Sequence, residues 1–285
     1  MSEAAAVGRV ESRTDVSPRP LIYRHTAIVR ITHWINVLCL AILLMSGLQI
    51  FNAHPALYWG EGSDFERPIL SIEALPNDQG QPVGMTHVFG RDFVTTGVLG
   101  WSTSPRAFPR WITVPGGQDL ATGRVWHFFF AWLLVINGCV YLLYTFLTRH
   151  FRRDLLPSGR QLRQIGGTLI DHLRLRFPRG QEAARYNGLQ KLAYLSIVLF
   201  MLPLIVLAGL TMSPGADAGM PWLLDLFGGR QSARTVHFVI AWLLVLFVMI
   251  HVLMVLVSGV VNNMRSMITG WYLLRPERRS RHDHA

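Results

Sequence analysis

Cysteine and lysine are nearly absent from this chain: two cysteines in 285 residues, and one lysine, Lys191, among 27 basic residues of which the other 26 are arginine. Cys39 and Cys139 lie far apart, each inside a long apolar run, which excludes a disulfide scaffold, a thioether-attached haem, a Cys-ligated iron-sulfur cluster and a Cys-type zinc site. Charge is also scarce, at 15% of residues. No Asp, Glu or Arg interrupts the four longest apolar runs, which argues against an ion or proton transporter and excludes a carboxylate metal site or hydrolytic dyad inside them.

What is plentiful is apolar side chain, 51% of the residues, too much for a water-soluble chain of this size. The four uncharged runs cover residues 31–51, 125–147, 192–212 and 236–261, and are 21, 23, 21 and 26 residues long. Each can cross about 30 Å of hydrocarbon at about 1.5 Å per residue, so the expected fold is an all-α integral membrane bundle of four transmembrane helices. The charges outside the runs alternate in sign. The N-terminus, the segment between runs two and three and the C-terminal tail carry 20 basic against 8 acidic residues; the other two connections carry 7 against 9. By the positive-inside rule both termini are expected in the cytoplasm of a multi-pass protein of the bacterial inner membrane. The basic balance is thereby explained by topology, and no nucleic-acid partner is implied.

Residues 1–24 are expected to be a disordered lead-in with no signal-peptide cleavage pattern, 25–271 the helical domain and 272–285 a basic tail. The long outer connection, residues 52–124, is rich in Gly and Pro and contains Trp59, Trp101 and Trp111. It reads either as a functional insertion or as a lid over the helix ends. In the inner connection, 148–190, Leu162, Ile165, Leu169 and Leu173 recur at helical spacing among arginines, predicting a short amphipathic helix in the headgroup plane. Pro203 is expected to kink the third span without ending it.

Four of the eleven histidines fall in or at the lip of the apolar runs: His33, His127, His237 and His251. The last two are 14 residues apart, about 1400° of helix rotation and about 21 Å of rise, so they project from nearly one face at opposite depths. Helix direction then sets His127 level with His237 at the outer side and His33 with His251 at the inner side. Two imidazoles facing across a bundle core are what a six-coordinate b-type haem requires, so two haems b are expected, one at each depth. Arg30, Arg124 and Arg234 each precede one of these histidines by three residues, at headgroup level and on the same side, where an arginine can pair with a haem propionate. The alternatives are a non-haem transporter or assembly subunit in which the histidines are polar clips between helices, or a sensor with a ligand-binding outer loop.

Arg30-Ile-Thr-His33-Trp34 opening the first span, His127 early in the second and the 14-residue spacing in the fourth resemble the di-haem cytochrome b subunits of Ni/Fe-hydrogenases, formate dehydrogenases and thiosulfate reductases, within the bacterial cytochrome b561 superfamily. The resemblance runs from about Arg24 to Trp271. It implies a subunit that anchors a catalytic oxidoreductase on the outer face, of the hydrogenase or molybdopterin-dependent type, and passes electrons between it and the quinone pool of a respiratory chain. The outer connection is longer than in hydrogenase-type members. Tyr186-Asn187-Gly188-Leu189-Gln190-Lys191 is similar to a recurring stretch of these cytochromes, and Asn187, Gln190 and Lys191 are candidates for a quinone carbonyl. Lys191 also reads as a snorkelling border lysine.

Overall fold

The computed structural model describes residues 20–148, 156–174 and 188–274. Its helices in chain order are α1 (Ala27–Phe51), α2 (Leu120–Leu147), α3 (Gly159–Arg163), α4 (Ile165–Leu173), α5 (Gly188–Ser196), α6 (Leu202–Leu210), α7 (Pro214–Gly219), α8 (Trp222–Phe227) and α9 (Arg230–Thr269). The segments long and apolar enough to cross a membrane are α1, α2, the stretch Gly188–Leu210 and α9. They form a bundle in which α1 packs along α2, α6 lies against α9, and α1 also meets α9.

The third span is not uniform. A π-helical turn, Ile197–Met201, joins α5 to α6 just ahead of Pro203. Proline lacks the N–H that would bond the carbonyl four residues back and its ring crowds that carbonyl, so a widened turn lets the helix continue past it. The fourth span also departs from its sequence reading: Gly259, at φ 114° and ψ 82°, breaks α9 before its last ten residues. Asn263 Nδ2 reaches back over the break to Ser258 Oγ at 2.9 Å. The amphipathic stretch of the inner connection is divided as well, α3 ending at Arg163 with Gln164 as its C-cap and α4 following; a Ser158–Gln161 capping box starts α3.

One end of the bundle holds the first and last described strands. Strand β1 (Leu21–Tyr23) pairs antiparallel with the last strand, Trp271–Leu273, Leu21 opposite Leu273. Regular structure thus begins before residue 24 and runs past 271, because Asn262 grips Leu273 through both its amide N and O, each at 2.9 Å.

The other end is covered by an antiparallel sheet that the sequence reading does not contain. It is built from β2 (Ala56–Leu57), β3 (Leu70–Pro76), β4 (Pro82–Val88) and β5 (Arg91–Val94), in that order; Trp271–Leu273 is β6. These strands are short, and Pro76, Pro82 and Gly84 interrupt the alternation that marks a strand. The molecule's apolar core lies where this sheet meets α1: Leu48, Phe51, Leu57, Ile72, Ala107 and Phe108 are buried together, with Phe238 of α9 against them. We call these the terminal end and the sheet end.

Candidate functional site

Helix direction dictates which polar side chains meet inside the bundle. His33 stands near the start of α1 and His251 well along α9, so both lie toward the terminal end; their ring centres are 6.4 Å apart with planes at 52°. His127 and His237 lie two turns into α2 and α9 at the sheet end, their ring centres 6.1 Å apart with planes at 58°. An ion bound to imidazole nitrogen at about 2 Å, with about 1.1 Å more from nitrogen to ring centre, separates two axial imidazoles by about 6.2 Å between centres. Both pairs match that span. Among the described residues no three His, Cys, Asp or Glu side chains gather as a site for a bare cation. Two facing imidazoles suit instead a metal whose equatorial ligands arrive with it, as in haem.

The surroundings of the rings also fit a haem. His237 Nδ1 lies 2.8 Å from the Ile205 carbonyl, which can only accept, so Nδ1 carries the proton and Nε2 keeps its lone pair. His127 Nδ1 lies 3.1 Å from Ser46 Oγ. A side chain on Gly47 would stand 3.3 Å from His127 Cε1, and one on Gly209 3.1 Å from His237 Cε1, so each of these rings is seated in a glycine notch. At the terminal end, His33 Nδ1 and the Nε atoms of Arg30 and Arg265 are buried with no hydrogen-bond partner. Two guanidinium N–H groups in want of an acceptor fit a carboxylate-bearing ligand such as haem with its propionates.

The three arginines singled out from the sequence are placed differently from one another. Arg30 donates through Nη1 to the Ile268 carbonyl. Arg124 is exposed, its guanidinium 5.7 Å over the Phe128 ring. Arg234 donates to the His54 carbonyl and lies 5.6 Å over the Phe51 ring. Of the quinone candidates, Asn187 lies outside the described residues, Gln190 is in the first turn of α5, and Lys191 Nζ donates to the Leu156 carbonyl at 3.2 Å. Ser46, Gly47, Gly209 and Arg265 were not singled out from the sequence: small residues in an apolar run carry no chemical signal, and Arg265 precedes no histidine.

Segment 54–63 is stitched along the first turns of α9. The Gly60 carbonyl accepts from the amides of Gln231 and Ser232 at 3.0 and 3.2 Å, Ser232 Oγ accepts from the Gly60 N–H at 2.7 Å, and Thr235 Oγ1 donates to the Tyr58 carbonyl at 2.6 Å. Two of the amides that every helix N-terminus leaves unsatisfied are thereby capped by the loop itself. On the α1 side, Asn52 exchanges two hydrogen bonds with the Phe108 backbone at 3.2 and 2.7 Å, and the buried Arg106 donates to Gln49 Oε1 at 2.6 Å and to the Gly116 carbonyl at 2.7 Å. The outer connection is thus fixed to α1 and α9 at the end of the bundle that carries His127 and His237.

The sequence profile of the family described as prokaryotic cytochrome b561 matches residues 24–270. A protein of Azospira oryzae described as a protein-methionine-sulfoxide reductase subunit, YedZ1, is 29% identical over 231 residues, which are 81% of this chain and 89% of that one. Two sequences described as Ni/Fe-hydrogenase B-type cytochrome subunits, from Azotobacter vinelandii and Azotobacter chroococcum, are 24% and 26% identical, each over 54% of this chain and 70% of their own. No solved structure matches the chain at a significant level.

Proposed function

We propose, from the premise that this chain belongs to the prokaryotic cytochrome b561 family and is therefore a membrane b-type cytochrome of electron transfer, that it binds two haems b and links a catalytic oxidoreductase subunit to the quinone pool. The observation that carries the reading is the pair of facing imidazoles at each end of the bundle, at the separation that one shared iron requires. His33 and His251 are the axial ligands of one site, His127 and His237 those of the other. Bound haem supplies reversible one-electron chemistry at each. The helices hold the two ligand pairs about 21 Å apart along α9, exclude water and fix the ring planes. Arg124 at the sheet end and Arg30 at the terminal end take propionates. Arg234 belongs to the same set, its Nη2 tying the loop at His54 while its charge faces the sheet-end site.

The sheet end faces the periplasm and both termini the cytoplasm of the inner membrane, a placement that the charge asymmetry supports. The catalytic subunit docks at the sheet end. The relatives' names, a methionine-sulfoxide reductase subunit and two Ni/Fe-hydrogenase cytochrome subunits, support a catalytic partner, which we take to be of the molybdopterin-dependent or the hydrogenase type. Quinone binds at the inner mouth of the third span, where Asn187, Gln190 and Lys191 offer donors to its carbonyls.

A reduced-minus-oxidised spectrum of the purified protein, with haem extracted and counted, tests the reading. Two b-type haems per chain are expected; a chain without a b-type signal overturns it, and the histidines are then polar clips. Lys191→Ala is expected to slow quinone-linked haem oxidation or reduction with haem content unchanged, and normal turnover places the quinone elsewhere.

A further inference from the structure

Ser46 sits in α1 with none of its surface exposed, one residue from the glycine notch that receives His127. A serine hydroxyl has one hydrogen to give and two lone pairs to accept with. Its hydrogen is directed along its own helix, to the carbonyls of Ile42 at 2.7 Å and Leu43 at 3.3 Å. The contact to His127 Nδ1 at 3.1 Å therefore has the oxygen as acceptor and the ring N–H as donor. His237 is held the same way by a different device, the Ile205 carbonyl of the third span. The sheet-end imidazoles thus both have Nδ1–H committed to an oxygen. At the terminal end His33 Nδ1 is buried with no acceptor.

We infer that Ser46 is a positioning residue for the sheet-end haem: it fixes His127 in the Nδ1-protonated tautomer, turns Nε2 toward the iron, and with the Ile205 carbonyl makes this haem the lower-potential one of the two. The inference rests on the reading of the four histidines as axial ligands. Its physical basis is that an N–H drawn toward an acceptor leaves more electron density on the opposite nitrogen, and a stronger donor favours ferric over ferrous iron. Arginine charge does not separate the two sites, since Arg30 and Arg265 stand at the terminal end and Arg124 and Arg234 at the sheet end, so the difference rests on the oxygens that accept from the sheet-end rings.

The test is a redox titration of the full-length protein, followed at the b-type absorbance band and by low-temperature EPR, for wild type, Ser46→Ala and Ser46→Thr. In wild type two components are expected, the lower one being the one lost in His127→Ala. Ser46→Ala is expected to raise the midpoint of that component alone and to move its EPR signal, while Ser46→Thr, which keeps the hydroxyl, leaves both near wild type. Loss of the sheet-end haem in Ser46→Ala with retention in Ser46→Thr supports the same role. The inference is overturned if Ser46→Ala leaves the lower component in place, if both components shift together, if Ser46→Thr behaves like Ser46→Ala, or if His127→Ala removes the higher component. A wild-type protein without b-type haem defeats the underlying function instead, so the two failures are told apart.

Discussion

The imidazole planes meet at 52° in one pair and 58° in the other, and at the sheet end each ring is held from a neighbouring helix, His127 by Ser46 Oγ and His237 by the Ile205 carbonyl. Both ferric haems are therefore expected to give the strongly anisotropic low-spin EPR signals of twisted axial ligands; two rhombic signals of the coplanar type would contradict the observed ring positions. Arg106 argues the same point for the loop. Its guanidinium is buried, carries its charge against neutral acceptors only, and burial, with Arg110 nearby, pushes its pKa below the usual arginine range. Arg106→Leu leaves Gln49 Oε1 without its donor, at about 1–3 kcal/mol for the group orphaned, and leaves the Gly116 carbonyl with Arg110 Nε alone. Thermal unfolding should show a lowered midpoint, and protection of the 105–116 amides should fall. His54 adds a pH dependence. Burial first, and then the Arg234 charge, hold its pKa below the ordinary 6.5. A neutral His54 thus contributes stability that is present above 6.5 and lost as pH falls through its lower folded value. Protection of the segment 54–63 amides, taken relative to their intrinsic exchange rate at each pH, should fall on acidification in wild type and lose most of that dependence in His54→Gln.

Elements show where the sequence stops being informative. The four spans are legible because a run of some twenty uncharged residues has few other readings, and the meeting of His33 with His251 follows from span direction and spacing. The sheet is not legible: its strands are two to seven residues long, Pro76, Pro82 and Gly84 break their alternation, and the partners of its buried Leu57 and Ile72 are Leu48 and Phe51 of α1, which no window over the strands themselves contains. The break in α9 is hidden for a related reason, since one glycine in an apolar helix is common and only its positive φ reveals the turn. Gly259→Ala forces a residue with a Cβ into that conformation, at about 1–3 kcal/mol. The segment carrying Arg265 should shift, and haem absorbance should fall at the terminal-end site with the sheet-end component retained. Equal loss of both components would show that the break serves the whole bundle. Phe108→Ala, in the core between sheet and α1, is expected to cost about 3–5 kcal/mol and to loosen the sheet while the helices stay folded. Limited proteolysis within 60–118 reads that outcome directly.

At the scale of the molecule, on the proposed reading one haem site lies toward each face of the membrane, with the sheet end outward. A reporter fused after Ala285 should be active on the cytoplasmic side only, and periplasmic activity would reverse the assignment of both faces. The central claim is that the two facing imidazole pairs each hold one haem. Haem b per chain, counted in two double variants, tests it most directly. His33→Ala with His251→Ala removes both ligands of a single site, so about one haem per chain should remain, as long as the emptied cavity does not unseat the other. His33→Ala with His237→Ala removes one ligand from each site, so none should remain firmly bound. If the first variant retains two haems, or if the second retains as much as the first, the pairing of ligands across the bundle is wrong.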